Sequence, residues 1–145
     1  MTQYRRIYTP GVSWFFTVNL MQRQNNHLLV EQIDLLREAF LYVKKRQPFD
    51  INAVVIMPDH LHCIWTLPEG DADYSGRWSL LKGYFSRGIP KGEPVSQSRT
   101  KRRERGLWQR RIWAHLLTSQ EDFNTHFDYI HWNPVKHGWV ESVKE

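Results

Sequence analysis

Residues 54–65 read VVIMPDHLHCIW, an apolar run that is interrupted by Pro58-Asp59 and by two histidines. The β-branched and large apolar residues on either side of Pro58-Asp59 predict two strands joined by a very short turn, which is a β-hairpin. Side chains at positions i and i+2 leave the same face of a strand, so we expect His60 and His62 on one face and Cys63 on the other. Two imidazoles placed in this way can reach one divalent metal ion, although a His-x-His pair on a strand is also common as ordinary surface or packed histidine.

Apolar spacing outside the hairpin predicts the other elements. Period-two alternation indicates a strand and a period of about 3.6 residues indicates a helix. In chain order we predict a strand at 13–20, a helix at 31–46, the hairpin strands at 50–57 and 60–67, a helix at 74–87, a strand near 111–116 and a helix from about 120 to 133. This order is that of an α+β, ferredoxin-like (RRM-like) sandwich, with an antiparallel sheet, helices on one face and an extra C-terminal helix.

The last predicted helix has a recognisable start and end. Thr118-Ser119-Gln120-Glu121 resembles a capping box. The helix should end near Asn133, because the residue before Pro134 is disfavoured in helical geometry. At about 100° per residue, the helix carries a polar stripe beside its apolar one. The polar stripe holds His126, Tyr129 and Asn133, and the apolar stripe holds Phe123, Phe127 and Ile130.

Composition limits the class of protein. With 145 residues and 41% hydrophobic residues, the chain fits a single domain over residues 1–145. The single cysteine, Cys63, cannot form an internal disulfide, and the longest early apolar stretch, at 12–20, is far too short for a membrane span. No signal peptide is recognisable, so we expect a cytoplasmic protein without membrane contact.

Positive charge is concentrated in one segment. The chain has a net charge of +5, whereas residues 87–111 alone hold nine Lys or Arg against two Glu, a local excess of +7. Within this segment residues 88–106 show no periodicity, which predicts a long basic loop that binds a polyanion or is merely solvated. Trp108 could stack on an unpaired DNA base or pack in the core; Trp14, Trp65, Trp78 and Trp113 are predicted to be core residues.

The hairpin and the last helix together resemble a known family. Residues 54–65 and the DYIHWNPVKHG sequence at 128–138 closely resemble the REP-associated tyrosine transposases, single-tyrosine members of the HUH nuclease superfamily. The N-terminal YRR (residues 4–6) and WFFTV (14–18) stretches and the WQRRIWAH segment (108–115) are similar to the same family and occur in the same order. The resemblance implies the ferredoxin-like fold. Members of the family commonly continue with a further Trp-Pro-aromatic-Ser segment, and this sequence departs from that pattern by ending at Glu145.

The resemblance also implies an activity and its residues. Tyr129 would be the nucleophile that cuts DNA, and His60, His62 and Asn133 would bind the metal, with His126 as an alternative third ligand. Imidazole and amide donors suit Mg²⁺ or Mn²⁺ better than structural zinc. The partner would be single-stranded or hairpin DNA, specifically REP elements, and a monomer is favoured over a homodimer. We expect DNA contacts from Tyr4, Arg5, Arg6, Arg99, Lys101, Arg102, Arg103, Arg105, Trp108, Arg110, Arg111 and Lys136.

Two other functions remain open at this point. A ferredoxin-like domain can be a non-catalytic module that binds single-stranded nucleic acid, and such a module would not need His60, His62 or Tyr129. The same fold can also host phosphodiesterases that activate water with two histidine motifs, but this sequence has one such motif.

Overall fold

The computed structural model describes the backbone of residues 13–137 and 142–143 and the side chains of residues 13–132. Its strands are β1 (Ser13–Asn19), β2 (Asp50–Ile56), β3 (His60–Thr66), β4 (Trp113–Leu116) and β5 (Ser142–Val143). Its helices are α1 (Leu28–Glu31), α2 (Ile33–Arg46), α3 (Tyr74–Arg87), α4 (Gln97–Lys101) and α5 (Gln120–His137).

The five strands form one sheet in the order β4-β1-β3-β2-β5, and every neighbouring pair is antiparallel. The first four strands alternate with helices as β-α-β-β-α-β, with α1 and α2 together filling the first helical position, so the predicted α+β architecture is confirmed. None of the helices in the described part of the chain is long and apolar enough to span a membrane.

The sheet is covered on both faces. Helices α2 and α3 pack on one face, where Phe16, Cys63 and Trp65 meet Phe40 and Trp78. Helix α5 packs on the other face, where Phe15 and Ile64 meet Phe123 and Ile130. The neighbours Phe15 and Phe16 are both nearly inaccessible because they point to opposite, equally covered faces. Cys63 therefore lies on the face opposite to His62, as predicted.

Several predicted boundaries are wrong. The helix predicted at 31–46 is divided at Gln32 into α1 and α2, and the loop at 88–106 contains the short helix α4, which Ser96 caps through a hydrogen bond from the Arg99 amide to its Oγ (3.2 Å). Ser119, not Thr118, caps α5, because its Oγ accepts a hydrogen bond from the amide of Asp122 (3.0 Å).

Helix α5 continues through Pro134 to His137, so the predicted end near Asn133 is also wrong. A proline inside a helix costs about 3 kcal/mol, mainly through the lost hydrogen bond and local crowding. Helix α5 contacts β2, β3 and β5, and this tertiary packing outweighs the tendency of Pro134 to end the helix.

Candidate active site

The β-hairpin and α5 bring the predicted catalytic residues together. His60 and His62 lie on the α5 side of the sheet, with ring centroids 5.0 Å apart. The ring of Tyr129, on α5, lies 5.2 Å from the His62 ring. His62 is buried, with 6% of its surface exposed, whereas Tyr129 is 51% exposed. The phenol is therefore beside the histidine pair and accessible to a large substrate.

Each histidine is held through its Nδ1 atom. His60 Nδ1 lies 2.7 Å from the Asp59 carboxylate, whose other oxygen accepts a hydrogen bond from Arg23 Nε at 2.8 Å. His62 Nδ1 lies 2.8 Å from the hydroxyl of Thr17 on the neighbouring strand. Burial of Asp59 raises its pKa, but the hydrogen bonds from His60 and Arg23 outweigh this effect, so the pKa of Asp59 is below its ordinary value.

This support is the pattern expected of metal-binding histidines. A histidine that coordinates a metal usually has its second ring nitrogen bonded to a carboxylate or another polar group, which fixes the ring and the tautomer. With the Nδ1 atoms of His60 and His62 so engaged, metal coordination by this pair would use the Nε2 atoms. The histidine pair therefore fits a divalent metal ion.

Phe15 connects the parts of the site. Its ring lies 5.6 Å from His62, 6.2 Å from Tyr129 and 4.7 Å from His126, measured between centroids. Phe15 is 4% exposed and belongs to the core cluster under α5. The buried Phe15 ring thus contacts one histidine of the hairpin and two residues of α5.

A second polar cluster lies at the start of α5. His115, Asp122 and His126 offer ligand atoms that lie within 4.8 Å of one another, so the cluster could hold a metal ion. His115 Nε2 is 3.0 Å from the Asp122 carboxylate, and His126 Nδ1 is 2.8 Å from the Asp122 backbone carbonyl. His126, the alternative third ligand for the His60 and His62 site, is thus engaged with His115 and Asp122.

Three of the predicted DNA contacts have structural roles. Arg99 is 7% exposed and donates hydrogen bonds to the backbone carbonyls of Arg105 (2.6 Å) and Trp108 (2.9 Å). Arg105 pairs with Glu93 at 2.7 Å and donates to the carbonyl of Ser86. Trp108 is 5% exposed, in edge contact with the Phe85 ring. The polar or aromatic groups of these three side chains are used inside the fold, so their predicted contacts with DNA stay a prediction that would require these contacts to be exchanged.

Other basic side chains of the segment remain available. Lys101, Arg102, Arg103 and Arg111 are exposed, and Arg110 is exposed while paired with Glu104 at 3.0 Å. The predicted contacts Tyr4, Arg5, Arg6 and Lys136, and the predicted ligand Asn133, lie outside the side chains that the structure describes.

The sequence did not identify Thr17 or Asp59 as partners of the two histidines. Asp59 follows Pro58 in a turn, where an aspartate is expected for backbone reasons alone. Thr17 could have been suspected as a polar residue in an otherwise apolar strand, but its pairing with His62 depends on the register between β1 and β3. Trp113, predicted as core, is 56% exposed on the edge strand β4.

Comparisons with known proteins identify the family of this chain. The family described as "Transposase IS200 like" matches residues 16–133. A REP-associated tyrosine transposase of Escherichia coli K12 is 45% identical over 145 residues, which cover all of this chain and 79% of that protein. A relative from Haemophilus influenzae Rd with the same family name is 42% identical over 146 residues, covering this whole chain and 82% of the relative.

Solved structures give the same result. A REP-associated tyrosine transposase bound to a REP hairpin is 45% identical, and it superposes with a TM-score of 0.73 over 97% of this chain and 76% of that one. A Deinococcus radiodurans structure is 14% identical, with a TM-score of 0.53 over 90% of this chain and 92% of that one, and shows a similarity of fold alone. The chain therefore belongs to the REP-associated tyrosine transposases of the IS200-like family, which are DNA-cleaving enzymes.

Proposed function

We propose that this protein cleaves and rejoins single-stranded DNA next to REP-type hairpins, through a covalent bond between Tyr129 and a 5′-phosphate. The observation that carries the proposal is the position of the Tyr129 ring, 5.2 Å from His62 and half exposed on the same side of the sheet. A non-catalytic binding module would not require these groups to meet. The hairpin substrate is supported by the 45% identical relative whose structure contains a REP hairpin.

In the proposed reaction, the Tyr129 phenol oxygen attacks the scissile phosphorus and the bond to the 3′-oxygen breaks. The phenol proton leaves the tyrosine, and the departing 3′-oxygen gains a proton, so the products are a 3′-hydroxyl and a 5′-phosphotyrosine. One phosphodiester replaces another, and a 3′-hydroxyl can therefore reverse the step without ATP. This reversal on a different strand end is strand transfer, the chemistry of transposition.

We assign the metal to His60 and His62, with Asn133 proposed as the third ligand. Mg²⁺ or Mn²⁺ at these residues would polarise a non-bridging phosphate oxygen and stabilise the charge that develops during the attack. Asp59 and Thr17 hold the two imidazoles in place, so the ligands need little reorganisation. Phe15 and the buried face of α5 position the phenol beside them.

His60, His62 and Tyr129 all belong to the same chain. We therefore propose that a monomer carries the whole catalytic site within a single domain. The exposed Lys101, Arg102 and Arg103 would hold the phosphate backbone of the DNA beside the site.

The proposal is tested with a labelled hairpin that carries a single-stranded arm, incubated with Mg²⁺ or Mn²⁺ and separated on a denaturing gel. We expect a protein-linked band with the wild type and none with Tyr129→Phe. His60→Ala and His62→Ala should lose this band while they retain hairpin binding. Cleavage without any protein-linked species would instead support hydrolysis by activated water, and binding without cleavage would support the non-catalytic module.

A further inference from the structure

Trp113 is a large apolar side chain that is exposed to solvent. It lies at the start of β4, the edge strand of the sheet, and 56% of its surface is exposed. Exposing an indole costs the free energy that its burial would provide, about 25 cal/mol for each Å² of apolar surface. The other tryptophans in described strands, Trp14 and Trp65, pack in or against the core.

The Trp113 ring has an aromatic neighbour on β4, which itself stacks on a residue of α5. It stacks on His115 with centroids 5.7 Å apart and an interplanar angle of 11°. His115 stacks in turn on His126, at 4.8 Å and 30°, and is hydrogen-bonded to Asp122 at 3.0 Å. The indole thus packs against a series of rings, His115 and then His126, that leads to α5.

The ring is also close to the proposed reaction centre. Trp113 pairs with Thr17 across β1 and β4, and Thr17 pairs with His62 across β1 and β3, so these residues form one row across the sheet. Two strand spacings separate the ends of this row, roughly 10 Å between backbones. Trp113 and Tyr129 also flank the same Phe15 ring, at 5.9 and 6.2 Å.

Charge next to the ring favours a nucleic acid over a protein partner. Arg111 lies two residues before Trp113 and is exposed, and Arg110 before it is exposed while paired with Glu104. An exposed aromatic ring with neighbouring cations is the arrangement that binds single strands, because each base offers a π face and each nucleotide a phosphate.

We propose that Trp113 stacks on an unpaired base of the DNA strand that enters the Tyr129 site. The inference rests on the proposed function, since it assigns a contact to that same DNA. Stacking accepts every base, so Trp113 holds the strand beside Tyr129 without selecting its sequence.

The first test measures binding without cleavage. All proteins carry Tyr129→Phe, and their affinities are compared for a hairpin with a single-stranded arm and for the same hairpin with a blunt end. Trp113→Ala should weaken binding of the arm-bearing hairpin about tenfold, within the range known for base stacking on aromatic residues. Binding of the blunt hairpin should change less than twofold, which also shows that the variant is folded.

Two variants serve as controls. Trp113→Phe retains an aromatic face and should recover most of the affinity. Leu41→Ala removes an exposed apolar side chain from α2, the helix on the opposite face of the sheet, and should change neither affinity. Equal weakening for both DNAs, or no weakening for either, would overturn the proposal.

The second test locates the stacked base. 2-Aminopurine is placed at each arm position in turn, and its fluorescence should be quenched at one position by the Tyr129→Phe protein but not after Trp113→Ala. Quenching that is independent of Trp113 would overturn the proposal. Both tests measure binding alone and do not depend on cleavage. A failure to form the covalent tyrosine species would therefore count against the proposed reaction, and the result on base stacking could still be interpreted.

Discussion

At the scale of single residues, the hydroxyl of Thr17 decides how His62 is presented. It lies 2.8 Å from His62 Nδ1, inside a site where the imidazole is 6% exposed. Partners of this kind around a metal-binding histidine typically contribute ten- to hundredfold to metal affinity or activity. Thr17→Val keeps the shape of the side chain and removes the hydroxyl.

We expect Thr17→Val to raise the Mn²⁺ concentration needed for half-maximal cleavage by about tenfold or more. Thr17→Ser keeps a hydroxyl and serves as the matched control, with a requirement close to the wild type. Cleavage is titrated with Mn²⁺ at saturating hairpin. If valine and serine behave alike, the hydrogen bond to His62 does not support the metal.

Arg105 and Glu93 connect the basic loop to the C-terminal end of α3. Glu93 accepts hydrogen bonds from the Arg105 guanidinium and from the Gly106 amide, while Arg105 also donates to the carbonyls of Ser86 and Ile89. Arg105→Ala should destabilise the protein by about 2 kcal/mol, because it leaves charge-assisted partners unsatisfied. A thermal melt should show a Tm lower by about 4–8 °C for a domain of this size.

The same pair predicts a pH dependence. The hydrogen bonds from Arg105 lower the pKa of Glu93 from 4.5 to about 2. A carboxylate with a depressed pKa contributes stability above its unfolded pKa and loses it as pH falls through the folded value. The difference in unfolding free energy between wild type and Glu93→Gln should therefore be constant above pH 5 and shrink from pH 4.5 toward pH 2. A difference that grows in acid would contradict this role.

Arg102 and Arg103 should behave differently from Arg105, because their side chains are exposed. The double variant Arg102→Ala and Arg103→Ala should reduce the slope of log Kd against log salt by about one to two, with no change in Tm. Hairpin binding is measured at several salt concentrations. An unchanged slope would mean that these side chains are solvated and do not contact phosphate.

These residue-scale roles were only partly predictable. Alternation along β3 is enough to put His60 and His62 on one face, and the family resemblance points to Tyr129. The hydrogen bond between Thr17 and His62 could not be predicted from the sequence, because it depends on the register between β1 and β3. The burial of Arg99 could not be predicted either, because it depends on how the basic loop folds back on itself. Charge in the sequence does not distinguish a guanidinium that is used inside the fold from one that faces solvent.

At the scale of elements, the start of α5 is fixed to the edge strand by Asp122. Its carboxylate lies 3.0 Å from His115 Nε2 and 3.3 Å from His126 Nδ1, and its amide donates to the capping hydroxyl of Ser119. Tyr129 lies two turns further along the same helix. Asp122 thus acts as a positioning residue, because it sets the helix relative to the sheet that carries the histidines.

Asp122→Asn should lower kcat for cleavage about tenfold, since a small displacement of a nucleophile has a large effect on rate. The KM for the hairpin should stay within twofold. Glu121→Gln, one residue earlier and exposed, is the matched control and should leave kcat unchanged. A rise in KM with unchanged kcat would show that the cluster contacts DNA instead of placing the tyrosine.

Element boundaries show where sequence patterns fail. The strands β1, β2 and β3 and the helix α3 follow their apolar periodicity closely. The end of α5 was misjudged because Pro134 acts locally, whereas the contacts of α5 with three strands act on the whole helix. The break at Gln32 and the short helix α4 lack strong periodic signals, so a sequence alone could not place them.

At the scale of the whole molecule, the proposed monomer requires that His60, His62 and Tyr129 of the same chain act together. His60, His62 and Tyr129 come from β3 and α5 of the same chain, with the His62 and Tyr129 rings 5.2 Å apart. A mixture of His62→Ala and Tyr129→Phe proteins should therefore remain inactive, because no chain has both groups. Recovery of cleavage in the mixture would show that two chains exchange α5 in a dimer.

The central claim, that Tyr129 becomes covalently bound to DNA, is tested most directly by mass spectrometry of the trapped complex. Trypsin should release residues 112–136 as one peptide, and Tyr129 is its single tyrosine. After reaction with an arm-bearing hairpin and nuclease trimming, we predict that this peptide carries a 5′-linked nucleotide on Tyr129. A nucleotide attached to another residue, or cleaved DNA with the peptide unmodified, would contradict the account.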